Sequence, residues 1–119
     1  MAPLPMVRSM DALGTATSGL RAAQLQVDIA AENVANTNTP GYTPSGIAQQ
    51  AVPGGVAARV VPEPAPPQLP GVAPGDQPSG TDLTTETVSQ ITGSIAYAAN
   101  ARVIDVSAQL TKNLVDLLA

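Results

Sequence analysis

The stretch SMDALGTATSGLRAAQLQVDIAAENVAN, Ser9 to Asn36, decides the fold. It holds neither proline nor a β-branched run, so nothing interrupts a helix over 9–36. Counting from Met6, large apolar residues return every seventh position, at Leu13, Leu20, Val27 and Val34. The positions three further on, Ala16, Ala23 and Ala30, are small. A heptad seam of one large and one small residue lets a second helix come near, toward the lower end of the roughly 8–10 Å interaxial range. Leu25 and Ile29 broaden the stripe. Ser9 is placed to cap the helix with Asp11 in its positively polarised first turn, and Asn36 to end it in a left-handed conformation. Thr39-Pro40-Gly41-Tyr42 follows, with Pro40 and Gly41 at the second and third positions of a type II turn.

A second helix is predicted over 81–119. Thr81 or Asp82 caps it and Glu86 lies near its positive end. Val88, Ile91, Ile95, Ala99, Val103, Val106, Leu110, Leu114 and Leu117 are nine apolar positions spread over 29 residues, the 3.6-residue step of an amphipathic helix. Thr87 to Ala101 carries no charge, a surface that tolerates burial on more than one side. Leu13, Leu20, Val27, Val34, Ile91, Ile95, Val103, Leu110 and Leu114 are therefore the candidate helix-packing or subunit-interface residues. Gly19 and Gly93 sit inside the two helices; each is either kept for close approach or merely tolerated at about 1 kcal/mol relative to Ala.

Between the helices, residues 40–80 hold 10 of the 12 prolines and 7 of the 10 glycines. That density forbids a continuous helix and removes many ladder donors. Pro62 to Pro67 reads as polyproline II, while Gly54-Gly55 and Pro70-Gly71 read as turns. Gly55 to Val61 alone has strand character, enough for a short edge strand. The expected organisation is a flexible start over 1–8, a helix over 9–36 with a turn motif at 37–42, a Pro/Gly-rich arm over 43–80 and a helix over 81–119. The expected fold class is all-α, two long helices in an antiparallel coiled-coil hairpin joined by an irregular arm. Two helices cannot enclose a core alone, and two Tyr are the only aromatics among 119 residues, so the chain is expected to need neighbours.

Composition excludes several functions. Histidine and cysteine are both absent, which removes the commonest general base, thiol nucleophiles, zinc sites and disulfides. No phosphate-cradling or hydrolase-elbow motif occurs, and the nine carboxylates are scattered, with Asp28 and Glu32 a pair one helical turn apart that reads as a solvated or partner-facing edge. No enzyme, cofactor or metal is expected. Five basic residues spread over positions 8 to 112 in a chain of net charge −4 form no nucleic-acid surface. No run reaches the length of a membrane span, and the first residues lack the pattern of a cleaved secretory signal.

Ser18-Gly19-Leu20-Arg21-Ala22-Ala23, then Asn33-Val34-Ala35-Asn36-Thr37-Asn38-Thr39-Pro40-Gly41-Tyr42, closely resembles the N-terminal signature of the bacterial flagellar axial proteins, the rod and hook family. Asp82-Leu83, Glu86, Val88, Ala96-Tyr97, Ala99-Asn100-Ala101 and Val103-Ile104 are similar to the family's C-terminal helix. With no large domain between the helices, the chain resembles most a short proximal-rod protein of the basal body.

The resemblance implies a structural subunit that travels through the flagellar type III export apparatus without signal cleavage. It would then join other rod subunits, its own kind included, in the periplasmic rod by packing of its terminal helices, without membrane insertion. Asn33, Asn36, Thr39, Pro40, Gly41, Tyr42, Tyr97 and Asn100 are the family-motif positions. Asn33 and Asn36 either bond a neighbouring subunit's backbone or cap the helix. Tyr42 either anchors the turn on its own chain or touches a neighbour, and Tyr97 with Asn100 marks a subunit contact or completes a polar flank. The competing reading is a soluble two-helix adaptor or export-chaperone-like coiled coil. Pro64 to Pro70 as an SH3-type ligand lacks the flanking basic residue that such recognition uses.

Overall fold

A computed structural model describes residues 5–119, with side chains from Met10 onward. Helix α1 spans Pro5–Ala35, strand β1 Ser45–Val52, strand β2 Gly55–Pro62, and helix α2 Leu83–Leu118; a single 3-10 turn, Pro74–Asp76, interrupts the connection to α2. The molecule extends 75 Å in its longest direction and 25 and 16 Å across. The two helices run antiparallel: Gln26 of α1 meets Ser89 of α2, Val27 meets Gly93, and Gly19 meets Asn100.

Helix α1 begins at Pro5, ahead of the predicted cap at Ser9; the side chains of Met6 and Ser9 lie outside the described residues, as do residues 1–4 of the predicted flexible start. Proline suits a first turn, where its missing N–H costs nothing. The helix does not end on a left-handed Asn36, since every positive φ among the described residues belongs to a glycine. Instead Asn36 folds back on the last turn, its Nδ2 donating to the Glu32 carbonyl at 2.9 Å, and Thr37 N–H donates to the Val34 carbonyl at 3.1 Å. Tightened turns thus use the orphan carbonyls that a left-handed cap would have used. The predicted turn follows: Tyr42 N–H donates to the Thr39 carbonyl at 3.2 Å, with Gly41 at φ 69°. Asp82 caps α2, its carboxylate accepting from the N–H groups of Thr84 and Thr85.

The fold is not all-α. Where an irregular arm was expected, β1 and β2 form a two-stranded antiparallel sheet, paired from Ser45 with Pro62 to Val52 with Gly55. The reason lies in where the prolines fall. Pro44, Pro53 and Pro62 bracket two runs of eight residues instead of interrupting them, so the ladder keeps its interior donors. Pro53-Gly54 supplies the fixed φ and the left-handed φ, 86° at Gly54, of a type II turn. Gly55 must stay a glycine because a Cβ there would overlap the Ser18 side chain of α1. That close approach seats the hairpin on the helix.

The core is thin, as the composition requires. Ala16, Ala22, Ala23, Ile29 and Ala30 are the buried apolar residues of α1 among those described, Pro44 is buried ahead of β1, and α2 contributes Gly93 between polar Glu86 and Ser107. Glycine and alanine at the seam let the helix axes approach closely, and dispersion contacts between backbones replace those of large side chains.

Candidate assembly interface

The end of α1 is tied to everything that follows by one buried side chain, Asn33. Its Nδ2 donates to the Ser45 carbonyl at 2.7 Å, and its Oδ1 accepts from Ser45 N–H at 3.0 Å and from the Tyr42 hydroxyl at 3.1 Å. The carboxamide therefore pairs with Ser45 as a neighbouring strand would, using both a donor and an acceptor. The Asn33 main-chain carbonyl accepts from the Thr81 hydroxyl at 3.1 Å, which brings the start of α2 to the same point. The Asn36 side chain, three residues on, bonds within its own segment, to the Glu32 carbonyl and the Thr39 hydroxyl.

Acidic groups surround this knot. Burial pushes the Glu86 carboxyl above its usual value; a hydrogen bond from the Asn33 side chain pulls it back, and the charges of Glu63 and Asp82 push it further up. Tyr42 is likewise raised, by burial first and then by Glu32 and Glu86, against a lowering contribution from Asn36. Both shifts favour the neutral forms, as expected where water is excluded and the net local charge is negative.

Composition-based reasoning missed two supports. Gln77, buried in the arm, accepts from Leu69 N–H at 2.8 Å and donates to the carbonyls of Leu69 and Val72, closing the Pro70-Gly71 turn, while its own carbonyl accepts from Gly41 N–H. A lone Gln amid prolines gives no periodic signal. Ser18 accepts from Val56 N–H at 3.0 Å and donates to the Thr15 carbonyl at 2.8 Å, so it anchors β2 as well as standing in the Ser18-Gly19-Leu20 word.

The helix seam joins the two ends of the chain at glycines. A Cβ on Gly19 would lie 2.6 Å from Asn100 Oδ1, and one on Gly93 would lie 2.8 Å from Val27 Cγ2. Both glycines are sites of close approach. Leu13, Leu20, Val27 and Val34 are half-buried, and Asn100 donates to its own helix at the Ala96 carbonyl, 2.9 Å away. Ile91, Ile95, Val103, Leu110 and Leu114 are exposed on α2; Ile91 and Ile95 lie on the side turned from Gly93, Val103 and Leu110 on its flank, and Leu114 one heptad beyond Ser107. Tyr97 is partly exposed and lines a shallow depression with Leu20, Leu25 and Asp28. Thr39, Pro40 and Gly41 are exposed at the turn, with Tyr42 tucked half-buried beneath.

Residues 13–43 match the family model described as flagella basal body rod protein. The match supports the flagellar rod family. It covers α1 from Leu13, the Asn33 knot and the Thr39-Pro40-Gly41-Tyr42 turn, and stops before the hairpin. No curated protein matches the chain. Within the matched segment Asn33 ties helix to turn to strand, and among the described residues no group of three or more His, Cys, Asp or Glu side chains is arranged for a metal ion.

Proposed function

We propose that this chain is a structural subunit of the flagellar basal-body rod, built into the axial structure by packing of α1 and α2 against neighbouring subunits. The family match over residues 13–43 supports the rod role, and the observation that carries the packing is the apolar face of α2, which its own chain leaves uncovered. A half-exposed Leu, Ile or Val gains part of the roughly 1.5–3 kcal/mol of full burial only when another molecule covers it. Among the described residues no helix is long and apolar enough to cross a membrane, so the stripe is not a spanning segment.

The subunit passes through the flagellar type III export apparatus unfolded, and the thin alanine core makes that state easy to reach. Ordering is offset by contacts on incorporation with rod subunits of its own and other kinds. The protein is a scaffold and not an enzyme. Leu13, Leu20, Val27 and Val34 serve the seam within the chain; Ile91, Ile95, Val103, Leu110 and Leu114 serve the contact between chains. The Asn33, Asn36, Thr39, Pro40, Gly41 and Tyr42 motif holds the hairpin at a fixed angle, and Tyr97 and Asn100 hold the seam.

Mass spectrometry of detergent-purified basal bodies tests this. Peptides of this chain at an abundance comparable to rod subunits are the expected result. Absence from intact basal bodies, with the protein abundant in the cytosol, would transfer the reading to a soluble adaptor.

A further inference from the structure

We infer that the outer edge of β2, where it borders a groove against α1, takes up an extended, acidic segment of a different protein as a third strand. The inference goes beyond the rod reading and does not depend on it. In an antiparallel ladder successive residues turn their N–H and C=O alternately toward the partner strand and away from it. Two bonds fix the phase. Val56 N–H leaves the ladder for Ser18 Oγ on α1, whereas Glu63 N–H continues it, donating to the Pro44 carbonyl. The odd-numbered residues of β2 therefore pair with β1, and Ala58 and Val60 turn their main-chain groups outward. The chain itself closes both ends of this edge: Ser18 takes the Val56 donor, and Pro62 has none to give. Between them, among the described residues, no hydrogen bond reaches the outward N–H or C=O of Ala58 or Val60. Such an unpaired stretch is a template for another chain.

The space beside that stretch suits an extended segment. A groove of about 660 Å³ has Arg21, Ala22 and Leu25 of α1 on one wall and Val56 and Ala58 of β2 on the other. From Val56 to Val60 the strand rises about 13 Å, the length of four or five added residues. Their main chain would bond to Ala58 and Val60, and every second side chain would turn toward Ala22 and Leu25. Main-chain bonds then supply affinity, and the walls select the alternate side chains.

Charge identifies the occupant. Arg21 lines the groove and Arg59 stands between the two free positions, two of only five basic residues in a chain of net charge −4. No carboxylate lines the groove among the described residues. A segment bearing Asp or Glu is attracted there, and one bearing Lys or Arg is repelled. The same arginines disfavour a second copy. The register that uses both free positions of two β2 edges sets Ala58 opposite Val60 and Arg59 directly opposite Arg59, and like charges so placed destabilise a pair. Residues 62–80 of another copy are no better, since prolines interrupt that arm too often to form a ladder.

The test titrates the full-length chain, labelled with nitrogen-15, with a capped heptapeptide, Thr-Val-Glu-Val-Glu-Val-Thr. Hydrogen exchange at the Ala58 and Val60 amides should slow at saturation, while Ala57 and Arg59, already paired within the hairpin, should not change. A peptide with Lys in place of Glu should bind at least about tenfold more weakly. N-methylation of alternate peptide residues, made in both phases, should cost at least about tenfold in one phase alone. Arg21→Gln should weaken binding by up to about fivefold, the upper end for an exposed charge pair. Val60→Pro should abolish it and spare the hairpin, because Val60 donates nothing to the internal ladder; the N-methylated peptides decide the matter should that variant not fold. No binding of the acidic peptide, or equal binding of the lysine peptide, overturns the inference. So does protection of Ala58 and Val60 that rises with the concentration of the chain alone, which would make a second copy the occupant. Recovery of the chain in basal bodies is scored separately: peptide binding by a chain that never enters them removes the rod role alone, and entry without peptide binding removes this edge alone.

Discussion

Replacing Asn33 by Ala removes the side chain that joins α1 to the hairpin, and the cost can be worked from its partners. Ser45 loses both the acceptor for its N–H and the donor to its carbonyl, and the Tyr42 hydroxyl loses its acceptor. A buried group left without a partner costs about 1–3 kcal/mol. Ser45 and Tyr42 are half-buried, so water restores a share, and the net loss is about 2–4 kcal/mol. A chain of this length is stable by about 6 kcal/mol at the low end, so the variant stands near its unfolding threshold. Asn36→Ala is the internal control. It comes from the same Asn-Val-Ala-Asn word, yet its side chain bonds only to Glu32 and Thr39, and its loss should stay within about 1 kcal/mol. Urea unfolding followed by circular dichroism gives both values, and amide exchange at Ser45 should accelerate in the first variant alone. Equal costs for the two asparagines, or a Ser45 amide that exchanges no faster, would refute the assignment of Asn33 as the tie.

Gly14→Ala should stabilise the chain by about 0.5–1 kcal/mol, because the added methyl meets nothing and helix propensity improves. Gly93→Ala should forfeit that gain and shift the urea midpoint downward, because its methyl would come 2.8 Å from Val27. Glu86→Gln should be more stable than the natural chain at neutral pH and equal to it in acid. With the folded-state pKa of Glu86 raised, its stabilising protonated form is fully present below the unfolded value near ~4.3 and is lost as pH rises through the folded one, a loss that Gln does not suffer. Thermal midpoints of both proteins across pH check the sign. Val27→Asp should abolish recovery of the chain in basal bodies more than it lowers expression, since it sets a charge against Gly93 in the seam.

How much of this was legible follows from what each signal averages over. The heptad from Leu13 to Val34 located α1, and the Ala16, Ala23, Ala30 series marked three of its five buried apolar positions, because helical periodicity integrates over many residues. Thr39-Pro40-Gly41-Tyr42 and Asp82 were readable because their conformations are local: a fixed φ, a positive φ, a carboxylate before free N–H groups. The hairpin was lost because proline content was counted across 41 residues, when its information lay in the spacing of Pro44, Pro53 and Pro62. With Ala-Gln-Gln-Ala at its centre, β1 also lacks the alternation that marks a strand. Asn33 was singled out by its motif, but a carboxamide's partners twelve residues away cannot be read from the word in which it stands.

The stripe on α2 makes a different point. Its periodicity located the helix, yet the buried residues of α2 are Glu86, Gly93 and Ser107, which with Asn100 make a seven-residue series of small or polar side chains that carries no hydrophobic signal. A small residue earns its place at a seam by what it leaves out, so hydropathy is blind to it. Large residues at Val88, Ile91, Ile95 and Val106 advertise a face on which apolar area must be covered, without naming the molecule that covers it. In a chain that carries its own core on one helix, the strongest hydrophobic pattern on the other is then a statement about assembly. Substituting Ile91 and Ile95 with Ser should therefore leave the monomer's unfolding midpoint nearly unchanged while weakening association, whereas trimming the half-buried Val27 to Ala should do the reverse.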